Sequence, residues 1–369
     1  MNLQMLARNV RRLRLAKNYS QKKLADSAGL SLLAIKNLEN SKGKPRINTL
    51  ELIARALDVK FQDLFLPVRE LKTVRFRSNK KMQNRENILA KVSRWLDDYN
   101  YLEHILNESV PFGLAAIRDR CAKENIIAAS GLCRDVLGLG PGTPIHDICG
   151  LLDEAGIKLH TISYASDDFF GLSIAKEDGG PAIVVNIWER ISIERRIFSA
   201  AHELGHLMMH QGSYNINETK EDRVEEKQAD LFAGHFLMPD QGFRKAWQGA
   251  SGLYWIDRVF KVKHIFHVSY KTVLFRLIEH NLADSSIWKD FSIKYQRRFN
   301  RKLPFKEEPS DRNFAEPDGL PSFDFYEERF SRLVRQAVEQ EKISLSRGAE
   351  ILAISIEEMM ERLKSCEVV

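Results

Sequence analysis

Residues 192–210 read SIERRIFSAAHELGHLMMH, and this stretch decides how the centre of the chain is built. Ser192 is a suitable N-cap and Glu194 an acid for the first turn, so a helix is expected from 193 to 210. On a helix, residues four apart stand one above the other on the same face. His202 and His206 can therefore bind one Zn²⁺ through their imidazoles, at ~2.0–2.1 Å each. Glu203 lies one step round, within reach of a water at the metal without being a ligand itself. Zinc brings the pKa of such a water towards ~7, so that a carboxylate can take its proton and pass it to a leaving amine. The run PAIVVN (181–186) lies just before this helix, where an active-site edge strand is expected.

A catalytic zinc needs a third protein ligand and an open position. The next helix, expected over 221–238 in EDRVEEKQADLFAGHFLMP, supplies acids twenty residues after His206. Glu226 is the candidate, because it shares a face with Asp230, Ala233 and Leu237. Glu225 is its rival: it borders the apolar arc through Ala229, Phe232 and Phe236, and periodicity does not exclude it. The usual fate of either is a solvated acid on a charged helix. Asp230, four residues beyond Glu226, can accept the free N–H of a ligating histidine and fix its tautomer. His210 and His235 flank the site, and packing is the preferred role for both over an oxyanion or substrate contact.

Outward from this pair of helices, residues 111–290 alternate between helical and strand patterns. PIHDICGLLDEAGI (144–157) reads as a helix running into the strand IKLHTIS, and FGLSIA and PAIVVNI read as further strands. Residues 303–322 hold four of the eleven prolines and read as an irregular linker, after which 323–364 turns helical, with Ser344 and Ser355 as caps. Before residue 111, TVRFRS (73–78) is β-like. The stretch from Met82 to about Leu106 is amphipathic, with Ile88, Leu89, Val92, Trp95, Leu96, Tyr99 and Leu102 along one side for packing.

The start of the chain differs in composition. Residues 1–81 carry a local charge of +13, so the remainder sums to −7 within the net +6. A basic head on an acidic body points to a polyanion partner for the head. Residues 1–66 read as short helices: Ser20 caps QKKLADSAG, Gly29 breaks it, Ser31 caps SLLAIKNLENSK, KGKPR is a loop, and Pro67 closes the bundle. The four cysteines, Cys121, Cys133, Cys149 and Cys366, are scattered without a C-x-x-C pair. A reducing cytoplasm fits them better than a disulfide framework. No apolar run is long enough for a membrane span, and the opening residues do not form a secretory leader.

RRIFSAAHELGHLMMH followed by EKQADLFAGHFLMP resembles the ImmA/IrrE family of metallopeptidases, whose members share H-E-x-x-H, then E-x-x-A-x-x-F-A and a Leu-Met-Pro ending. Here the second pattern is Glu226, Ala229, Phe232, Ala233, then Leu237, Met238 and Pro239. The resemblance extends to PIHDICGLLDEAGI and PAIVVN upstream and to VSYKTVLFRL (268–277) downstream, about half the chain. It implies that His202, His206 and Glu226 are the zinc ligands and Glu203 the general base, and so chooses Glu226 over Glu225.

Residues 7–66 resemble the Cro/C1-type (XRE) helix-turn-helix family through Ser20-Gln21, Ala25, Gly29-Leu30-Ser31, Ile35, Leu38, Glu39 and LELIARALDV. The resemblance implies that the helix after Ser31 enters the major groove of double-stranded DNA. Gln21, Lys22, Lys42, Lys44 and Arg46 become phosphate contacts, with Ser31, Lys36 and Asn37 left to hydrogen-bond in the groove. Leu32, Leu33 and Ala34 depart from the usual polar start of that helix, and fit thymine methyls or another protein.

The expected fold is α+β, with an all-α helix-turn-helix bundle, a mixed α/β zincin-like metallopeptidase domain and a C-terminal helical extension. The boundaries expected are 1–67 for the DNA-binding domain, 68–110 for a linker strand and connecting helix, 111–290 for the peptidase domain, and 291–369 for the proline-containing linker and extension. The expected function is a cytoplasmic DNA-binding transcriptional regulator. Its Zn²⁺-dependent endopeptidase domain cuts a protein substrate, a transcriptional repressor or a toxin encoded nearby. Homodimerisation is a further partner expectation, and no membrane is. The competing expectation is a regulator or antitoxin whose zinc domain senses or scaffolds.

Overall fold

A computed structural model describes residues 3–17, 19–65, 71–76, 85–166, 169–216, 222–303 and 317–365. Pro67, the end of TVRFRS, Met82, Pro304, Pro309 and Cys366 lie outside the described residues. The chain divides into two units, Met1–Leu71 with Lys80–Tyr99, and Lys72–Asn79 with Asn100–Val369.

In the first unit, helices α1 (Leu3–Ala16), α2 (Gln21–Ala28), α3 (Leu32–Glu39) and α4 (Ile47–Leu57) follow the apolar spacing of the sequence. Ser20 Oγ accepts from the Lys23 N–H at 3.0 Å and Ser31 Oγ from the Ala34 N–H at 3.1 Å, so both caps form. Gly29 ends α2 at φ 64°, a left-handed turn that costs glycine nothing and aims the chain into α3. Leu6, Val10, Leu24, Ile35, Leu38, Leu50 and Ile53 form the core. Arg14 crosses from α1 to hold Glu39 of α3 through two hydrogen bonds of 2.6 and 2.9 Å, so this buried ion pair is matched on both sides. Helix α5 (Arg85–Leu106) buries the stripe from Ile88 to Leu102; its residues to Tyr99 count with the first unit and those from Asn100 with the second.

The second unit contains a four-stranded sheet, β1 (Val74–Arg75), β2 (Lys158–Ile162), β3 (Gly171–Ile174) and β4 (Ala182–Asn186), in the order β1-β3-β4-β2. β3 runs antiparallel to β1 and β4, and β4 parallel to β2. This corrects the expectation that PAIVVN is an edge strand. All five residues of β4 are buried, because its unbroken apolar run suits a strand covered on both faces. β3 lies next to the site instead, with β1 along its outer edge. Arg75 stands opposite Ser173, Ser173 opposite Ile183, and Ile183 opposite Leu159. Directly opposed residues share a sheet face, so this row is apolar at one end and polar at the other.

Helices α6 (Arg118–Cys121), α7 (Ile126–Val136) and α8 (Ile148–Glu154) lie between β1 and β2, and α9 (Ile193–Met209) and α10 (Arg223–Leu237) follow β4. Ser192 caps α9 through the Arg195 N–H, and Asp222 caps α10 through the Val224 N–H. Leu159, Ile183 and Val185 pack with Ile197, Ala201 and Leu204 of α9, and with Phe232, Ala233 and Phe236 of α10, in one core. A Cβ on Gly205 would lie 3.0 Å from the Phe232 ring, tighter than side chains ordinarily pack, so glycine suits the close approach of α9 and α10. The chain continues through α11 (Asp240–Gly249), α12 (Trp255–Phe266), α13 (Tyr270–Glu279) and α14 (Ile287–Phe299). It ends in the C-terminal helices α15 (Arg329–Glu339), α16 (Leu345–Leu352) and α17 (Ile356–Ser365). Ser344 and Ser355 cap the last two. Among the described residues, no helix is long and apolar enough to cross a membrane.

Two acids packed where α8 meets the segment before α15 give this unit a pH dependence. Burial and the nearby Glu327 charge push the Asp153 carboxyl up to about 7, against the pull of Arg329 and Arg332. Burial also pushes Glu327 up to about 7, although it accepts the Phe330 N–H. Folded-state values above the unfolded ones mean that the native state holds these protons more tightly. Their stabilisation is complete below pH ~4 and lost as pH rises through ~7. Thermal unfolding should show Tm falling between pH 5 and 8, and Asp153→Asn should flatten that fall. An unchanged slope in the variant would exclude Asp153 as its source.

Candidate metal centre

Helix α9 sets His202 and His206 one turn apart, with ring centroids separated by 4.6 Å. Helix α10 faces it and brings in Glu226. The three side chains offer ligand atoms that all lie within 4.8 Å of one another. His202 Nε2 is 2.9 Å from His206 Nε2 and 3.1 Å from Glu226 Oε2, and His206 Nε2 is 3.5 Å from Glu226 Oε1. Two donors on a tetrahedral zinc at ~2.0–2.1 Å lie ~3.3 Å apart, so the three separations fit one small ion. The chemistry of the set, two imidazoles and a carboxylate, also fits zinc with one position left open.

Each imidazole is held from behind. His202 Nδ1 is 2.9 Å from Asp230 Oδ1, which leaves Nε2 for a metal. His206 Nδ1 lies 2.7 Å from His210 Nδ1, and His210 Nε2 lies 2.9 Å from Gln228 Oε1. The amide oxygen of Gln228 only accepts, so His210 carries its proton on Nε2 and presents Nδ1 as an acceptor. His206 then donates from Nδ1 and keeps Nε2 bare. His210 therefore does more than pack: it fixes the tautomer of its neighbour. His235 stays apart from the centre, bonded at 2.9 Å to Glu279.

Arg75 holds the carboxylate side. Its Nη2 donates to Glu226 Oε1 at 2.7 Å and its Nη1 to Glu225 Oε2, with the Arg75 side chain only 2% exposed. Glu225 also accepts from Ser213 Oγ. Arg75 and Ser213 thus occupy Glu225, while Glu226 turns towards the imidazoles. Burial alone would raise the Glu226 carboxyl; its close contacts with His202 and His206 outweigh that and hold it well below the usual carboxylate range. Burial lowers His206, and in His202 the bonds from Asp230 and Glu226 overcome burial and raise it to about 9.

Glu203 is buried beside this cluster. Its Oε2 accepts from Ser173 Oγ at 2.6 Å, and Ser173 accepts from the Tyr214 hydroxyl at 2.8 Å. Burial pushes the Glu203 carboxyl up to about 7, against the pull of His202 and Ser173. A Cβ on Gly171 would meet Glu203 Cγ at 3.3 Å and the Val184 carbonyl at 2.9 Å, so glycine there makes room for the glutamate.

Residues 152–278 match the family model of the IrrE N-terminal-like domain of the M78 peptidases, and residues 10–64 match a helix-turn-helix family model. The chain carries a helix-turn-helix domain and a domain of the M78 peptidase family. The M78 match includes α9, α10 and β2 to β4, and so every ligand candidate, whereas Arg75 lies outside it. A comparison of the whole chain with curated proteins returns no match.

In the helix-turn-helix domain, Lys22, Lys36, Lys42, Lys44 and Arg46 are exposed. Ser31 is exposed and caps α3, and Asn37 is half-buried. Gln21 donates to Glu39 Oε2 at 2.7 Å, inside the Arg14–Glu39 network. Leu33 is 65% exposed and Leu32 37%, so the start of α3 presents apolar surface.

Sequence patterns reached His202, Glu203, His206, Glu226 and Asp230 but missed Arg75, Ser173 and Tyr214, which come from distant segments. His210 carried a signal, since 202, 206 and 210 continue one face at four-residue spacing. Removing the support of a ligand typically costs ~10–100-fold in metal affinity. Arg75→Ala should weaken zinc binding by about that factor in a chelator competition, with Arg75→Lys intermediate; wild-type affinity in Arg75→Ala would show that Glu226 needs no such support.

Proposed function

We propose that the chain is a DNA-binding transcriptional regulator whose M78-type domain is a zinc-dependent endopeptidase. The convergence of His202, His206 and Glu226 on one point, with Glu203 buried at its side and oriented by Ser173, supports this most directly. His202, His206 and Glu226 would hold the ion, and Asp230 and His210 would orient the two imidazoles. A bound zinc ion supplies a Lewis acid for a peptide carbonyl and for water. Glu203 has one oxygen committed to Ser173; the other takes the proton of the attacking water and delivers it to the departing nitrogen. Pure ligation has no use for a carboxylate so placed, which favours hydrolysis over a sensing or scaffolding domain.

The proposed substrate class is a protein, with transcriptional repressors foremost because the same chain carries a DNA-binding domain. A toxin or repressor encoded nearby is the corresponding partner. The proposed DNA-binding domain is 1–67, followed by a connecting segment 68–110, the peptidase domain 111–290 and the C-terminal extension 291–369. Lys22, Lys42, Lys44 and Arg46 are proposed phosphate contacts and Ser31, Lys36 and Asn37 groove contacts. Gln21 acts through the first turn of α2, where its side chain already holds Glu39.

Glu203→Gln separates chemistry from assembly. The variant should bind zinc and DNA as the wild type does and lose cleavage of the protein substrate by at least ~100-fold, the low end for a lost general base. Cleavage at the wild-type rate would remove Glu203 from the mechanism. Bound zinc without cleavage of any neighbouring-gene product by the wild type would favour the sensing alternative.

A further inference from the structure

The short segment around β1 is fastened at both ends, and one of those ends is the metal centre. Leu71 before it and Lys80–Tyr99 after it are assigned to the first unit, so the chain enters the second unit at Lys72 and returns to the first at Lys80. Asp178, in the turn between β3 and β4, accepts the Lys72 N–H and, at 2.6 Å, the Thr73 N–H. The Ala175 N–H donates to the Thr73 carbonyl at 3.0 Å, and the Ile216 N–H to the Lys72 carbonyl at 3.0 Å. Val74 and Phe76 are buried, with the Phe76 ring edge-on to Phe169 at 5.0 Å. Arg75 completes the attachment on Glu225 and Glu226 of α10.

The two polar ends are strong for the same reason. Asp178 is 7% exposed and receives two backbone N–H groups on its carboxylate, and hydrogen bonds to an ionised acceptor are about twice as strong as neutral ones. Arg75 is a buried charge matched by two glutamates, and breaking such a match is costly. Thr73 and Arg75 are two residues apart, so where Asp178 fixes the backbone also fixes where the Arg75 guanidinium reaches.

Resting on Glu226 as a zinc ligand and not on proteolysis, we propose that Lys72–Arg75 is a clasp through which zinc occupancy and the chain joining the two units control each other. Docked, the segment sets Arg75 against Glu226 Oε1 and orients that carboxylate towards His202 and His206, which raises zinc affinity. Coupling between two equilibria is reciprocal, so bound zinc favours the docked segment by the same factor. Asp178 is the positioning residue: it holds the backbone of Lys72 and Thr73 and acts on Glu226 through Arg75. Loss of zinc thus releases chain that runs in sequence into the first unit, and release of that chain weakens zinc.

Hydrogen exchange on the full-length chain, with and without saturating zinc, tests this. The Lys72, Thr73, Ala175 and Ile216 amides should exchange ~10–100-fold more slowly with zinc, the factor by which ligand support changes metal affinity. The amides of α2 and α3 should not respond, and the effect at the four amides should vanish in Arg75→Ala. In a chelator competition Asp178→Ala should weaken zinc binding by up to the same factor, and Asp178→Asn, which keeps an acceptor oxygen, by less. Arg75→Ala and Asp178→Ala together should bind zinc no more weakly than Arg75→Ala alone, because both break one connection, whereas a merely structural loss at Asp178 would add. Unchanged exchange at the four amides, wild-type zinc affinity in Asp178→Ala, or full additivity of the two substitutions overturns the proposal. Coupling without cleavage of any protein leaves the clasp standing and refutes only the peptidase assignment; a chain that takes up no zinc overturns the ligand set and the clasp together.

Discussion

The site depends on how closely α9 and α10 pack. The absent side chain of Gly205 allows the Phe232 ring to lie against the α9 backbone, and that contact sets Glu226 across from His202 and His206. α9 packs on β3 and β4, and α10 packs on α9 and α7, so their spacing is set within one well-filled core. An ion held by three side chains from two helices tolerates only small errors in that spacing, because donor separations follow from the metal–ligand distance.

Around this constraint the second layer of contacts is nearly closed. Asp230 and the His210–Gln228 pair each take the outer nitrogen of one imidazole, so both Nε2 atoms face inward. Arg75 bonds one oxygen of Glu226 and one of Glu225, and Ser213 holds the other oxygen of Glu225. Ser173 and Tyr214 orient Glu203. β1 is only two residues long, and it lies in the segment just after the residues assigned to the first unit. The support of Glu226 therefore comes from the chain that leaves the DNA-binding end, not from the family-matched domain.

The central cluster of side chains is legible in the sequence because it is local. His202, Glu203 and His206 lie within one turn of helix, and Glu226 and Asp230 within another, so spacing alone placed them on common faces. Caps at Ser20, Ser31 and Ser192 were legible for the same reason. Spacing left Glu225 and Glu226 open, and only family resemblance chose between them. What distinguishes them in space is that Glu226 faces His202 and His206 while Glu225 is held by Ser213, and periodicity on one helix does not report on contacts with other segments. The misplacement of PAIVVN at the sheet edge has a different cause. Its continuous apolar run is the mark of a strand buried on both faces, and nearness in sequence to the site does not set a strand's place in the sheet. In the head, the leucines at the start of α3 were visible as a departure, and the structure leaves them on the surface.

The ligand set is the claim on which everything else rests, and metal analysis of the purified full-length chain tests it most directly. Wild type and Glu225→Gln should retain stoichiometric zinc, whereas Glu226→Gln should lose it while keeping a wild-type far-ultraviolet spectrum. Zinc retained in Glu226→Gln and lost in Glu225→Gln, or no zinc in the wild type after metal loading, would contradict the account.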